Sequence, residues 1–320
     1  KIEFERNPLY WNDKETVINS ATFLAIENPS TDVARYRAGD LDMTNYGLPP
    51  EQFAKLQKEL PGEVYITRTL ATYSYELNNK KAPFDNVNIR KALNLSLDRN
   101  VITDKVLGQG QTPTYVFTPT YIEEGHLIQQ PAYSKEPMAQ RNEEAIKLLE
   151  EAGYSKANPL KFSILYNTNE NHKKVAIAAA SMWKANTKGL IDVKLENQEW
   201  KTYIDSRRAG RYDAARAGWN ADYNQATTFG NYFLSNSSNN TAKYANPEYD
   251  KAIAESYVAT DAEGRAKAYA KAEEILAKDF GIVPIFNYVN PRLVKPYVKG
   301  YSGKDPQDHI YLRNLYIIKH

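Results

Sequence analysis

Ile2 and Phe4 alternate with charged neighbours, and Ala21 to Ile26 is mostly apolar, so the chain opens with two strand candidates. Thr31 with Asp32 offers a cap for a short helix that reaches Ala38 and stops at Gly39. Leu41 and Met43 alternate with Asp40 and Asp42, the pattern of a half-buried strand. Pro50 suits a first helical turn, after which Phe53, Leu56 and Leu60 share one face. Val64 to Thr69 and Tyr73 to Leu77 read as two strands. Pro83-Phe84-Asp85 precedes a helix carrying Ile89, Ala92, Leu93 and Leu97, and Asp98 can cap the next helix, which ends at Gly108. A loop rich in Pro, Thr and Tyr follows to about Pro137, then an amphipathic helix from Glu143 to Ala152, stopped by Gly153.

The clearest pattern lies between residues 160 and 219. Leu160, Phe162 and Ile164 alternate as a strand, and Val175, Ala178, Ala179 and Met182 mark one helix face. Ile191, Val193 and Leu195 alternate again, Trp200, Tyr203, Ile204 and Arg207 share a second helix face ended by Gly210, and Tyr212 to Trp219 is a third strand. This β-α-β-α-β order implies a parallel sheet with right-handed crossovers, so the chain is placed in the α/β class. Helices are expected again at Tyr249 to Tyr257 and Ala262 to Lys278, the latter with a Thr260/Glu263 capping box, before strand-like segments return from Ile282 onward.

Composition narrows the chemistry. Two domains suit 320 residues, and no apolar run nears the length of a bilayer span, the longest being Val175 to Trp183. Basic residues number 41 and acidic residues 39, a net charge of +2 that gives no reason to expect a nucleic-acid partner. With no cysteine, disulfides, thiolate nucleophiles and cysteine metal sites are excluded. The 24 tyrosines and four tryptophans suit a binding surface, though on composition alone an aromatic core is the better account of them. The chain opens on Lys1 with no visible signal peptide, and a processed chain or fragment is expected.

Ligands of parallel sheets gather beyond the carboxyl ends of the strands. Those ends are followed here by Tyr166-Asn167-Thr168 with His172, by Gln198-Glu199-Trp200, and by Trp219 with Asp222. Arg207 shares a helical stripe with Trp200 and Tyr203, and Arg216 sits mid-strand among small residues. Each needs a partner, either an internal carboxylate such as Asp205 or Asp213 or the carboxylate of a ligand. Asp222 reads either as a turn aspartate or as a counter-ion for an ammonium group. None of the four histidines forms a metalloprotease motif, no nucleophile elbow is present, and Gly108-Gln109-Gly110 lacks the setting of a dinucleotide loop. Glu123, Glu124 and His126 read as solvated surface, so neither a metal nor a cofactor is expected, and a binding pocket fits better than a reaction centre.

Longer stretches resemble a known family. Pro83-Phe84-Asp85-Asn86-Val87-Asn88-Ile89-Arg90-Lys91-Ala92-Leu93, continued by Leu97-Asp98-Arg99, resembles the signature of the peptide-type solute-binding proteins of ABC importers, family 5. Asn197 to Thr202, Arg216 to Asn224, Leu165 to Thr168 with His172, Arg292 to Pro296 and Tyr316 to His320 are similar to its oligopeptide-binding members, so the likeness runs over the whole chain.

The resemblance implies a periplasmic-binding-protein-like fold of class II, two lobes around a ligand cleft. Residues 1–70 and 290–320 would belong to lobe I and 71–289 to the other large lobe, domain III. Full-length members carry roughly two hundred further residues ahead of this stretch, beyond an ordinary domain, as a separate chain or a missing part. The implied function is capture of oligopeptides and their delivery to a membrane permease by hinge closure, without catalysis, in the periplasm or on a lipid-anchored surface. Murein tripeptide, haem and glutathione are alternative cargoes within the family. A peptidase, or a chaperone-like surface protein, is the alternative from another class. Matched residue by residue, Asp222 pairs with the ligand's α-ammonium, and the backbone of Gly218, Trp219 and Asn220 bonds the peptide main chain. Arg216, Arg207, His172 and Lys105 receive ligand carboxylates for different lengths, and Trp200, Trp219 and Tyr288 line side-chain pockets. Asn220 stands where some relatives carry Cys.

Overall fold

The alternating start folds as a hairpin: Ile2–Glu5 (β1) pairs antiparallel with Ser20–Phe23 (β2), Ile2 facing Phe23. The structure, a computed structural model, describes every residue except Glu27 and Tyr46. Helix α1 (Pro29–Ala38) is capped by Asn28 rather than by Thr31 or Asp32. The Asn28 carboxamide oxygen accepts from Ser30 N at 2.8 Å, and Pro29 fills a first-turn position that needs no amide donor. Gly39 ends the helix at φ +87°, a left-handed turn that suits glycine. Leu41 and Met43 do not build the expected strand. Met43 forms a single bridge to Val294, because the Thr44 hydroxyl takes the Leu293 amide at 2.9 Å and closes the ladder. Helix α2 (Pro50–Glu59) buries Phe53 and Leu56.

The two strands expected between Val64 and Leu77 are one, β3 (Val64–Leu77), 14 residues long, because sheet pairing carries through Ala71 and Thr72. Asn86 caps α3 (Val87–Leu95), and Asp98 opens a π-helix over Val101–Leu107 by accepting Asn100 N at 3.0 Å. The remaining elements are β4 (Thr112–Pro113), α4 (Met138–Glu151), β5 (Leu160–Asn167), α5 (Glu170–Asn186), β6 (Ile191–Gln198), α6 (Trp200–Arg208), β7 (Ala214–Asn220), α7 (Thr227–Gly230), α8 (Pro247–Val258), α9 (Ala262–Lys278), β8 (Ile282–Leu293), β9 (Val298–Lys299) and β10 (Tyr316–Ile317). The α9 cap is Asp261, whose carboxylate takes Gly264 N at 2.6 Å, so the Thr260/Glu263 box is not used.

Six strands make one mixed sheet in the order β4-β8-β3-β7-β5-β6. As expected, β5 runs parallel to β6 and to β7, whereas β7 is antiparallel to β3, with Tyr75 opposite Arg216. The chain divides into two compact units. One comprises 1–69, 108–110 and 289–320, around a core of Val33, Tyr36, Leu48, Phe53, Leu56 and Leu293. The other comprises 70–107 and 111–288 and holds three clusters. One packs Leu93, Leu149, Ile164 and Trp183. A second gathers Phe117, Phe229, Phe233, Tyr249 and Leu276, and a third joins Leu165, Tyr203, Tyr212 and Ala215 beneath α6. Among the described residues no helix is long and apolar enough to cross a membrane.

Candidate functional site

The second unit gathers most of the expected site residues around the carboxyl ends of β5, β6 and β7. Asn167 ends β5 directly beside Gln198, which ends β6. Each crossover then begins with a carboxamide or carboxylate cap. Asn169 accepts from His172 N at 3.1 Å to start α5, and Glu199 accepts from Lys201 N at 3.0 Å to start α6. These caps place His172 and Trp200 in the first turns, so a short strand-to-helix connection fixes each of them.

Strand β7 carries the feature that matters most. Its pairing with β5 covers only Ala214 and Ala215, whereas its pairing with β3 runs on to Asn220. Residues 216–220 therefore keep one edge off the β5 ladder. The first carbonyl beyond that ladder, Arg216 O, accepts the Tyr203 hydroxyl from α6. Gly218 sits on this stretch close to two polar side chains, which a side chain at this position would have to displace by a few tenths of an ångström. A Cβ there would lie 3.0 Å from the Tyr288 hydroxyl and 3.1 Å from Arg216 Nη2.

Thr228 organises the end of β7. Its carbonyl accepts Trp219 Nε1 at 3.0 Å, and its hydroxyl accepts Asp222 N at 3.1 Å and donates to Asp222 Oδ2 at 3.1 Å. The Trp219 ring packs edge-on against Tyr232 at 4.9 Å. Asp222 itself is exposed at the strand end. Sequence reading missed Thr228, because a threonine six positions past an aspartate carries no recognisable signal. Asp222 thus makes the side-chain-to-loop bonds of a turn aspartate while its carboxylate remains at the surface.

Arg216 donates from Nη2 to the Tyr288 hydroxyl at 2.5 Å, and its guanidinium lies 5.2 Å from the Tyr73 ring centre. His172 lies against the same Tyr73 ring at 5.6 Å. Arg216, His172 and Tyr288 thus share one corner, built on Tyr73. Burial holds the His172 imidazole well below its ordinary pKa, and the neighbouring Arg216 charge lowers it further. The unfolded chain binds a proton near pH 6.5 that the folded chain resists, so His172 withdraws stability as pH falls through that value. His172→Gln is expected to lose less stability than the parent between pH 7 and pH 5 in chemical denaturation. Identical losses for the two proteins would refute the burial of a neutral imidazole.

Arg207 pairs with neither Asp205 nor Asp213, the carboxylates expected from sequence. Its helix face turns toward the sheet, where Nη2 meets Glu76 Oε2 at 2.9 Å, Thr241 Oγ1 at 3.0 Å and Tyr232 Oη at 3.2 Å. Asp213 is held by Lys81 at 2.5 Å and by Ser163 N at 3.0 Å. Burial opposes the Asp213 charge, yet these partners outweigh it and keep its carboxyl below the usual range. Nothing in the periodicity of either segment pointed to Glu76, a residue far away in sequence. Trp200 is 55% exposed, tilted over Tyr203. Lys105 is exposed on the π-helix and, among the described residues, makes no hydrogen bond or ion pair with the other site residues. No cluster of three or more potential metal ligands occurs among the described residues.

The assembled site offers an open strand edge, a surface carboxylate beyond its end, two indoles and a buried cationic corner. That set can bind an extended chain bearing opposite charges at its two ends. The chain is 98% identical over all its 320 residues to the periplasmic oligopeptide-binding protein OppA of Haemophilus influenzae, of which it covers 59%. It is 54% identical to OppA of Salmonella typhimurium, covering 58% of that protein. A crystal structure of Haemophilus influenzae OppA in complex with RPPGFSPFR superposes with a TM-score of 0.95 at 96% identity, over 99% of this chain and 62% of that one. The chain thus spans a little under two thirds of the length of these relatives. The model of the bacterial extracellular solute-binding proteins, family 5 Middle, matches residues 1–241, and the chain belongs to that family.

Proposed function

We propose that this chain is part of an oligopeptide-binding protein that captures short peptides by their main chain and amino terminus and delivers them to an ABC-importer permease. The observation that carries this reading is the open edge of β7 over residues 216–220, ending beside the exposed Asp222 carboxylate. Backbone amides and a terminal ammonium are common to all peptides, so an edge and a carboxylate give affinity with little dependence on sequence. Side chains then fall against Trp219, Trp200 and Tyr288. Arg216 offers charge, and His172 a neutral imidazole, to the far carboxylate, with Lys105 and Arg207 as the further candidates carried by family likeness. The two relatives named above are called periplasmic oligopeptide-binding proteins, which supports a periplasmic setting and a carrier role without chemistry.

In the same reading, residues 1–70 and 290–320 belong to lobe I and 71–289 to domain III, and a further segment completes the binding protein. Calorimetry on the complete protein tests the anchor. N-acetylation of a peptide removes the ammonium and is expected to cost about 2–5 kcal/mol of binding, at least about thirtyfold in affinity. Equal affinities for free and acetylated peptides would remove the anchor from the proposal.

A further inference from the structure

We infer that Arg207 and Glu76 are positioning residues for the binding edge, which fix, through α6 and the Tyr203 hydroxyl, the point on β7 where sheet pairing stops and the open edge begins. This rests on the peptide-binding reading above and assigns to Arg207 a role other than contact with the ligand's carboxylate.

The pair is anchored at one nitrogen of Arg207, Nη2, while its buried Nε has no hydrogen-bond partner among the described residues. Glu76 Oε1 accepts the Tyr232 hydroxyl at 2.6 Å, while Oε2 takes Arg207 Nη2 and the Thr241 hydroxyl. The Glu76 side chain is 1% exposed and that of Arg207 10%. A ligand carboxylate brought to Arg207 would enter beside a buried carboxylate of like charge, which repels it. Glu76 already supplies the anion that the guanidinium needs.

The placement of the pair gives it a different use. Glu76 lies on β3 directly opposite Ala215, the last β7 residue paired with β5. Arg207 lies one turn beyond Tyr203 on α6, and Tyr203 donates its hydroxyl to Arg216 O, the next carbonyl along β7. The buried ion pair therefore ties α6 to β3 across the last rung of the three-strand region, and the phenol caps the first carbonyl after it. Tyr203 is fully buried beneath α6 with Leu165 and Ala215, so the hydroxyl has no freedom to drift if the helix stays in place. Loosening α6 would change the start of the open edge, the end away from Asp222, which only the longer peptides reach when their amino terminus is held at Asp222.

Oligoalanines from dipeptide to pentapeptide, titrated by calorimetry into the complete protein, test this. Tyr203→Phe, which deletes only the hydroxyl, is expected to weaken the tetra- and pentapeptide about three- to tenfold and the dipeptide least. Arg207→Gln and Glu76→Gln are expected to show the same graded loss, rising with peptide length and persisting when the peptides are C-terminally amidated, with the double variant less than multiplicative and Arg207→Lys recovering part of the affinity. A loss in Arg207→Gln confined to one peptide length, and absent when that peptide is C-terminally amidated, would make Arg207 a carboxylate receptor and overturn the inference. So would Tyr203→Phe binding every length within about twofold of the parent, and this variant decides the matter if Arg207→Gln does not fold. Failure of the parent protein to bind any of the series would sink the peptide reading itself, a different result from either variant pattern.

Discussion

Asp222→Ala in the complete protein is expected to weaken binding of peptides with a free amino terminus by about 2–5 kcal/mol, roughly thirty- to several-thousandfold. The same change is expected to leave the unfolding midpoint almost unmoved. The two effects separate because Asp222 is exposed, and one of its bonds to Thr228 uses its own backbone amide, which alanine keeps. Exposed substitutions of this kind shift stability by about 0.5 kcal/mol or less. A ligand ammonium left without its carboxylate, by contrast, bears the full cost of an unpaired charge once water is excluded. Calorimetry with free and N-acetylated peptides, beside thermal melts, reads both numbers. Affinity for free-amino peptides unchanged in Asp222→Ala would show that the ammonium is held elsewhere.

Arg99→Met is expected to destabilise the fold by about 3–5 kcal/mol, the largest stability effect foreseen. Arg99 is completely buried, and its guanidinium is satisfied mainly by backbone oxygens. Nε meets Pro284 O at 2.8 Å and Thr114 O at 3.1 Å, and Nη1 meets Asn94 O at 3.0 Å and Leu97 O at 3.2 Å. Nη2 reaches Asn94 Oδ1 at 3.0 Å, and the group stacks 4.0 Å over Tyr115. Burial lowers its pKa, as expected for a cation held away from water. Methionine would fill the space but leave several carbonyls without donors, and those carbonyls come from distant parts of the chain. A urea-denaturation loss smaller than about 1 kcal/mol would mean that water replaces the guanidinium at little cost.

Arg99 also marks the limit of sequence reading. It stands at the end of the Leu97-Asp98-Arg99 stretch that carries the family likeness, yet no local pattern reveals that it clamps the loop at Thr114 to β8 at Pro284. The β-α-β-α-β core was legible because periods of two and 3.6 residues survive in Leu160 to Ile164, Val175 to Met182 and Ile191 to Leu195. Helix starts were less legible. Asn28 and Asp261 hold the caps, three and one residues away from better-looking candidates, because several capping residues lie close together at each site. Leu41 and Met43 alternate like a strand but stop at one bridge, since the Thr44 side chain, invisible to periodicity, takes the next amide.

The site divides along the same line. Trp200, Asp222 and His172 follow strand ends and Trp219 is the penultimate residue of β7, so topology alone placed them. The partner of Arg207 and the hub at Thr228 depend on tertiary contacts that join separate segments, and neither alternation nor spacing encodes those. The two arginines, both read as waiting for an anion, differ for this reason: one meets Glu76 across the sheet, the other meets the phenol of Tyr288.

Strand β3 has a consequence for biogenesis. Its neighbours on both sides, β7 and β8, are translated long after it, so while the polypeptide is being made this 14-residue segment has two naked flanks and little charge along its later half. Such a segment invites pairing with another nascent copy, and closure of the sheet must wait for distant partners, which makes folding slow. The sheet around β3 can close only once β8 has emerged.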